Sequence, residues 1–215
     1  IYRAERAADW DGTTDRPVWV RLTLTVKPDE GQLIFDFSDS DPQVDFINTP
    51  LGQVWASVVV GLAWTLPPGT PRNQGLFNCM SVITKEGTVL NPVYPATTGA
   101  QAPTLGTQVT ECVLLALSQV VPTDTSSLWG RHLCPIDPRT KSIQFYAVGS
   151  FHADPSNGAI YGYDGTDGLG PTISAGAILR APIEVEEWDT PYKWLHYEFL
   201  TDSAGAGKWR GGLGT

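Results

Sequence analysis

Four aspartates cluster in one short stretch of the sequence, at Asp36, Asp39, Asp41 and Asp45. Grouped carboxylate oxygens are the ligands that hard cations such as Ca²⁺ and Mg²⁺ prefer. The spacing does not fit a calcium-binding EF-hand loop, which needs a glycine at its sixth position and a distal glutamate. Aspartates in turns more commonly accept hydrogen bonds from the nearby backbone. The pattern therefore favours local capping over a metal site.

The histidines and cysteines form no complete metal or nucleophile pattern. His132 and Cys134 lie two apart, but a structural zinc site needs four ligands and no second pair is near. His152 follows a Gly-Ser-Phe run that lacks the flanking glycines of a nucleophile elbow. Cys112 falls on the apolar stripe of a predicted helix, where it serves as a small apolar residue. His196 alternates with aromatic residues, which is typical of a half-exposed strand.

Two glycine-rich stretches resemble ligand-binding loops without completing their patterns. Residues 205–208 end in Gly-Lys, but a phosphate-binding loop also needs an earlier glycine and a Ser or Thr after the lysine. Trp209 occupies that last position. Residues 164–170 combine Asp, Gly and Thr and could cradle an ion, yet loops of this composition are mostly turns or lids. These residues alone assign no mechanism.

Alternation of apolar and polar residues predicts the strands that position these loops. Residues 18–26 place Val or Leu at every second position, and residues 33–37 alternate again after a turn at 28–31. We therefore expect a β-hairpin. The first sixteen residues show no clear period and stay unassigned. Further short strands are predicted at 80–83, 143–148, 160–163 and 194–200.

Two stretches carry apolar residues at helical spacing. Thr49 and Pro50 predict the start of the first helix as its N-cap and first residue, and Pro67 ends it. The second helix begins near Thr104 and closes at Pro122, and residues between the two helices at 70–78 form a loop. The sum is an α+β fold, antiparallel and β-rich, with two amphipathic helices packed on the sheet. The buried stripe of the second helix comprises Leu105, Val109, Cys112, Val113, Ala116, Leu117 and Val120.

Composition narrows the functional classes. The chain has 215 residues and a net charge of -9, from Lys+Arg 14 and Asp+Glu 23. This balance argues against nucleic-acid binding, which needs a dense field of Lys and Arg. The most apolar run, at 54–66, is too short to span a membrane, and no signal peptide pattern begins the chain. Three scattered cysteines fit a reducing compartment. We therefore expect a cytoplasmic protein.

The two ends of the sequence suggest a segment of a longer product. The chain begins at Ile1, its single methionine is Met80, and it stops in the glycine-rich run 211–215. No repeat or obvious linker divides it. We therefore expect residues 1–215 to be a single segment of one domain, incomplete at both ends.

Five short stretches together resemble the hydantoinase B/oxoprolinase family. Each stretch is a weak signal alone, but their order and spacing over nearly the whole chain make the resemblance specific. The stretches are Phe-Asp-Phe-Ser-Asp-Ser-Asp-Pro-Gln-Val at 35–44, Ile-Asn-Thr-Pro-Leu at 47–51, Pro-Arg-Asn-Gln-Gly at 71–75, Glu-Gly-Thr-Val-Leu-Asn-Pro at 86–92, and residues 197–214.

The resemblance implies the B component of a multi-subunit, ATP-dependent enzyme. Its partner would be a hydantoinase A-type subunit with an actin-like ATPase fold, in a hetero-oligomer with further subunits. ATP and Mg²⁺ would bind that partner, which phosphorylates a carbonyl oxygen or bicarbonate. Biotin is not required. A divalent metal, where family members hold one, belongs to the region before residue 1, so no cofactor or metal site is expected in this segment.

Departures from the hydrolase members of the family favour a ketone carboxylase. Those members tend to carry polar runs where this chain has residues 104–108, 130–134 and 172–179. The residues here are mostly smaller or more apolar, and a drier pocket suits an activated enol and CO₂. The resemblance thus favours the acetone or acetophenone carboxylase type, which joins the enol phosphate of a small ketone with CO₂ from bicarbonate. Two alternatives stay open: an ATP-dependent hydrolase of a hydantoin, 5-oxoproline or lactam, and a non-catalytic scaffold module.

Among the positions that match the family, Asp41 and Asn48 are the polar residues predicted as candidates for catalysis. The other matched positions are predicted to be architectural, because glycine permits backbone angles that other residues resist. These positions include Asn73, Gly75, Asn91, Gly205 and Gly207.

Overall fold

The computed structural model describes residues 1–8, 10–11, 13–99, 101–125, 139–141, 156–168, 182–189 and 193–214. These residues fall into two units, Ile1–Thr123 and Asp124–Thr215. The first unit combines a β-sheet with helices, which confirms the predicted α+β class.

A four-stranded sheet organises the first unit, in the order β1 (Tyr2–Ala8), β2 (Val18–Lys27), β3 (Gln32–Asp36) and β4 (Met80–Ile83). The predicted hairpin is confirmed, since β2 and β3 pair antiparallel around a turn in which Gly31 has a φ of 63°. β4 pairs parallel with β3. The prediction of an antiparallel sheet is therefore wrong at this strand, because a long crossover brings the chain back to the start of β3.

β1 is the strand for which the sequence shows no clear period. It lies at the edge of the sheet and pairs antiparallel with β2, so that Ala4 lies opposite Leu22. Its residues alternate between exposed and only partly buried positions, which gives little apolar contrast. Charged side chains on an edge strand also discourage pairing with another chain.

One face of β2 forms the centre of the core, as its alternation predicts. Its inward residues from Val18 to Leu24 are essentially without solvent contact, whereas Val26 at the end of the same face is exposed. Phe35 of β3 and Phe37 of the following loop are fully buried beside them. The core therefore extends from the sheet into the loop that carries the aspartates.

The two predicted helices exist and form successive layers on the sheet. α3 (Thr107–Leu117) packs on β1 and β2, and α1 (Leu51–Thr65) packs on α3. The helices approach closely at Gly61, where an added Cβ would lie 2.9 Å from the Val113 Cβ. Of the predicted stripe on the second helix, Val120 is exposed and lies beyond the helix end.

The start of α1 differs from its prediction by one residue. Pro50 is the N-cap, with an extended backbone at φ -71° and ψ 154°, and no side chain caps the helix. Thr49 therefore lies outside the helix, and its buried hydroxyl does not cap it. The helix ends as predicted, because Leu66 precedes a proline and takes the extended conformation that this position favours.

One short helix of this unit was not predicted, and the second predicted helix, expected from near Thr104, becomes α-helical only at Thr107. Residues 74–78, expected as loop, form the short helix α2 (Gln74–Asn78), which begins where the Asn73 side chain accepts a hydrogen bond from the Gly75 N–H at 2.9 Å. The segment before α3 is a π-helical turn, Ala102–Gly106. Single π turns frequently lie at functional positions.

The second unit departs most from the predicted strands. Residues 194–200 form no strand, and Ile160 and Tyr163 form a single bridge around a tight turn in place of a strand. The helix α4 (Ile183–Asp189) was not predicted. The predicted strand at 143–148 lies outside the described residues. No helix within the described ranges has the length and apolarity needed to cross a membrane.

Candidate functional site

The aspartates of the acidic loop bind neighbouring protein groups. Asp41 accepts hydrogen bonds at Oδ1 from Arg21 Nη1, at 2.6 Å, and at Oδ2 from the Trp19 N–H, at 3.0 Å. Asp36 Oδ1 accepts from the Ser38 N–H at 2.9 Å, and Asp45 Oδ2 accepts from the Thr13 hydroxyl at 3.3 Å. Within the described residues, no three His, Cys, Asp or Glu side chains group as metal ligands. The loop is arranged for capping.

Arg21 fastens this loop to strand β2. Besides Asp41, its Nη1 donates to the Asp39 carbonyl at 3.0 Å, and its Nε lies 3.5 Å from a carboxylate oxygen of Glu5 on β1. The backbone N–H of Arg21 donates to the Ser40 hydroxyl at 3.1 Å. One arginine thus fixes three consecutive loop residues against the sheet.

Asn48 is fully buried and binds only backbone groups. Its Oδ1 accepts from the Val44 N–H at 2.8 Å, while its Nδ2 donates to the Val44 carbonyl and, at 2.8 Å, to the Thr97 carbonyl. These contacts close the turn after the acidic loop and join it to the segment at residue 97. The geometry of Asn48 favours a positioning role, and its part in catalysis stays a prediction.

The junction between the start of α1 and the π turn contains buried polar atoms that no described residue satisfies. Thr49 Oγ1 and Gln101 Oε1 are buried, and neither has a hydrogen-bond partner within the described residues. The bridge between Ile47 and Thr98 places the segments before these two residues side by side. Buried polar atoms almost always find a partner. We call this place the α1–π junction.

Gly106 brings the π turn against α1. An added Cβ there would lie 3.1 Å from Gln53 Nε2 and 3.3 Å from Ser57 Oγ, and the Gln53 Nε2 donates to the Ser57 hydroxyl at 3.2 Å. Residues 104–108 were identified by their departure from the hydrolase members, whereas Thr49, Gln53 and Gln101 were missed. The signal of Thr49 and Gln101 was weak, because a buried polar atom without a partner is visible only once the packing is known.

A cavity of about 580 Å³ opens after the end of α1. It is lined by a Pro-Pro-Gly turn and its neighbours, with Arg72 as its charged side chain. None of the candidate residues lines it, so the cavity carries no role in the site.

The two cysteines within the described residues differ in exposure. Cys112 is buried, and burial raises the pKa of its thiol far above the usual range, so that the unreactive protonated form dominates. Its neighbour Glu111 is also buried and lies 3.4 Å from Arg6 Nη2 of β1. Cys79 is exposed, and its Sγ donates to the Gly75 carbonyl. Cys112 is thus a packing residue, as its place on the stripe predicts.

The two glycine-rich stretches, although distant in sequence, bind each other in the second unit. The Gly165 N–H donates to the Arg210 carbonyl at 2.7 Å, and the Arg210 N–H donates to Asp164 Oδ1 at 2.9 Å. The Leu213 N–H donates to Asp167 Oδ1 at 2.6 Å. Each of the two aspartates therefore accepts a hydrogen bond from a backbone N–H of the other stretch. We call residues 156–168 with 205–214 the glycine clamp.

Close contacts explain two of the glycines in the clamp, Gly207 and Gly212. An added Cβ on Gly212 would lie 2.5 Å from the Ser156 Cβ and 2.6 Å from the Thr166 carbonyl oxygen. A Cβ on Gly207 would lie 2.8 Å from the Trp209 carbonyl oxygen. Lys208 does not face a phosphate-binding loop, since its Nζ lies 4.7 Å from the centre of the Trp209 ring.

Of the remaining candidates, only His196 falls within the described residues. His196 is exposed and lies in no strand. His132, Cys134 and His152 lie outside the described residues, as do the stretches 130–134 and 172–179 on which part of the carboxylase prediction depends.

Comparison with known proteins identifies the family. The sequence model of the hydantoinase B/oxoprolinase family matches residues 1–215. The beta chain of the caprolactamase of Pseudomonas jessenii is 31% identical over 202 residues, which cover 91% of this chain and 34% of that protein. A Pseudomonas sp. (strain NS671) protein, named as the B-type component of a D-/L-hydantoinase, is 33% identical over 224 residues, which cover 100% of this chain and 37% of that protein. The chain thus spans about a third of the length of these relatives.

Solved structures share the fold. The ATP-dependent caprolactamase from Pseudomonas jessenii superposes with a TM-score of 0.73 at 27% identity, covering 98% of this chain and 37% of that chain. Nucleotide-free acetone carboxylase superposes with a TM-score of 0.76 at 16% identity, covering 99% of this chain and 30% of that chain, and this likeness shows the fold alone. Because the family model matches this chain from residue 1 to residue 215, the chain belongs to the hydantoinase B/oxoprolinase family.

Proposed function

We propose that this chain forms part of the B-type component of an ATP-dependent enzyme that opens a cyclic amide. One observation carries the proposal: the relatives at 31% and 33% identity bear the names of a lactam enzyme and a hydantoin enzyme. The acetone carboxylase likeness, at 16% identity, supports the fold and not the reaction. Ketone carboxylation, which the sequence departures favoured, is therefore the second candidate function.

In the proposed reaction, a companion subunit uses ATP and Mg²⁺ to phosphorylate the amide carbonyl oxygen. Water then adds to the activated carbon, and the C–N bond breaks as the nitrogen takes up a proton, which leaves an acyl phosphate. A second water hydrolyses this acyl phosphate to the carboxylate and phosphate. The net reaction consumes the cyclic amide, one ATP and two waters, and yields the ring-opened acid, ADP and phosphate. Biotin has no part in this scheme.

The α1–π junction suits the polar edge of a cyclic amide. A ring amide is cis, so its N–H and C=O lie side by side, and they need one acceptor and one donor. Gln101 Oε1 is an unsatisfied acceptor, and the Thr49 hydroxyl is an unsatisfied donor. We propose that these two groups meet the substrate, or a water that contacts it, in the assembled enzyme, while Asp41 and Asn48 hold the loop that leads into α1.

Ketone carboxylation is the second candidate, and the apolar surroundings of the junction favour it. α1 contains no charged residue in its fifteen positions, and Leu105 of the π turn is fully buried. A dry pocket protects an enol and CO₂ from water. In this case bicarbonate takes the phosphoryl group from the enol phosphate, and the carboxyphosphate formed breaks down to CO₂ and phosphate. The released enolate carbon bonds to this CO₂, which gives a β-keto acid.

The test uses the full-length subunit with its separately purified companion, which we propose to be of hydantoinase A type. ADP release is measured with caprolactam, hydantoin and 5-oxoproline, and in parallel with acetone and acetophenone plus bicarbonate. We expect the cyclic amides to stimulate ATP consumption only when both subunits are present. Stimulation by ketone and bicarbonate alone supports the second candidate. Full activity of the companion without this subunit supports a scaffold role and contradicts both.

The junction is tested by Thr49→Val, which keeps the side-chain shape but removes the hydroxyl. We expect its kcat/KM to fall by about tenfold, the effect of losing one hydrogen bond of about 1.4 kcal/mol. Thr70→Val is the matched control, because the Thr70 hydroxyl binds only the Pro67 carbonyl in the exposed turn after α1. Equal kcat/KM values for the two variants contradict the assignment.

A further inference from the structure

The glycine clamp holds a group of aromatic side chains out in solvent. Tyr161 is 79% exposed and Tyr163 is 70% exposed. The Tyr161 ring meets the Trp209 ring edge to face, with centroids 4.7 Å apart, and Lys208 Nζ lies over the same indole. We call Tyr161, Tyr163, Lys208 and Trp209 the aromatic–lysine surface.

Backbone hydrogen bonds fix both segments of chain that carry this surface. Ile160 and Tyr163 exchange N–H···O bonds of 3.2 and 3.1 Å around the turn that presents Tyr161. Next to Trp209, Arg210 is held through both its N–H and its carbonyl by Asp164 and Gly165. Side chains presented by a fixed backbone lose little further conformational entropy on binding. These two fixed segments are therefore better suited to binding a partner than a flexible loop would be.

Of the two basic side chains at or beside this surface, only Arg210 pairs with a carboxylate within the described residues. Arg210 Nη2 lies 3.0 Å from Asp202 Oδ1 and is neutralised by it. Lys208 pairs with no carboxylate in the part of the chain that the structure describes, and its ammonium contacts the indole instead. In a chain with a net charge of -9, this lysine is a local positive point beside three exposed or partly exposed rings.

We propose that the aromatic–lysine surface docks the companion subunit of the enzyme, at a protein surface that offers an apolar recess with an Asp or Glu at its edge. Tyrosine and tryptophan are the residues that most often dominate binding energy at protein interfaces. A carboxylate on the partner complements the unneutralised Lys208 and selects the orientation. This inference depends on the proposed function only in that a companion subunit exists.

The experiment measures the dissociation constant between the full-length subunit and its purified companion by isothermal titration calorimetry. We expect Tyr161→Ala and Lys208→Glu each to weaken binding by about tenfold or more, and Tyr161→Phe, which keeps the ring, to bind normally. Trp188→Ala and Tyr94→Ala are matched controls, because these rings are 87% and 94% exposed but lie outside the surface. Circular dichroism checks that each variant is folded.

The outcomes separate this inference from the proposed function. If the complex forms and both Tyr161→Ala and Lys208→Glu bind as tightly as the wild type, the docking surface is wrong while the two-subunit enzyme stands. If the wild type forms no complex with the companion, both proposals are contradicted. If the controls weaken binding as much as the test variants, the effect is not specific to this surface and the inference is overturned.

Discussion

The Asn48 side chain binds both backbone groups of Val44: its Oδ1 accepts from the Val44 N–H at 2.8 Å, and its Nδ2 donates to the Val44 carbonyl. The same carboxamide also donates to the Thr97 carbonyl, so one buried side chain joins the acidic loop to the segment that precedes the π turn. The two family stretches that carry the predicted site residues are therefore parts of one connected structure.

Replacing Asn48 is expected to lower the free energy of unfolding, because this side chain positions the backbone. Asn48→Ala leaves the buried Val44 N–H and carbonyl, and the part-buried Thr97 carbonyl, without their side-chain partner, so we expect the free energy of unfolding to fall by about 3 kcal/mol. Urea unfolding of the full-length subunit measures this. Asn73→Ala is the control, since it removes an exposed helix cap and is expected to cost about 1 kcal/mol. Unchanged stability together with lost activity would instead make Asn48 a catalytic residue.

The substitution Asp41→Asn removes the charge of this side chain but keeps its shape. The variant keeps an oxygen for the Trp19 N–H but loses the ion pair with Arg21. Because both side chains of the pair are about a third exposed, we expect a loss of less than about 1 kcal/mol in stability. In steady-state kinetics we expect kcat/KM to stay within about tenfold of the wild type. A fall of about a hundredfold or more, the usual size for a lost acid–base catalyst, would contradict the positioning role.

Two glycines on α1 are expected to respond oppositely to alanine. Gly61→Ala places a Cβ 2.9 Å from the Val113 Cβ, and such overpacking is expected to destabilise the protein by about 1–3 kcal/mol. Gly52→Ala meets nothing within 4 Å and is expected to stabilise it by about 0.5–1 kcal/mol, because alanine restricts the unfolded chain and favours helix. Thermal unfolding compares the two. Similar shifts in both variants would show that α1 and α3 do not pack as described.

We expect the ionisation of Asp11 to make the free energy of unfolding depend on pH under acidic conditions. Hydrogen bonds from the Thr14 hydroxyl and from the Thr14 and Thr13 backbone N–H groups lower its pKa from 3.8 to about 2. A folded-state pKa below the unfolded value means that the stabilisation is complete above the unfolded pKa and is lost as the pH falls towards 2. The difference in unfolding free energy between wild type and Asp11→Asn should therefore shrink as the pH falls from about 5 towards 2. A constant difference over that range contradicts this.

Local sequence patterns predicted the elements in which apolar residues recur at a regular spacing and are buried. β2 and the stripe of α3 were found because alternate or helically spaced residues such as Leu22 and Val109 are fully or nearly fully buried. The residues 194–200 alternate in the same way, yet they form no strand, and within the described residues no strand pairs with them. The direction of β4 is set by the crossover through α1, and no residue within Met80–Ile83 encodes it.

The site was harder to predict because its contacts join residues distant in sequence. The pairing of Gly165 with Arg210 depends on how the chain closes on itself, and each stretch alone shows only an incomplete motif. The unsatisfied oxygens of Thr49 and Gln101 become evident only when burial is known. Asp41 and Asn48 were identified by family resemblance, which marks that a residue matters to the family but not whether it binds substrate or backbone.

The mass of the reaction product tests the central claim most directly. The full-length subunit and its companion are incubated with ATP, Mg²⁺ and either caprolactam or acetophenone with ¹³C-bicarbonate, and products are identified by mass spectrometry. We predict an amino acid heavier than the lactam by one water, formed only when ATP and both subunits are present. A ketone product that gains labelled CO₂, with the lactam left intact, would contradict the assignment to cyclic amides.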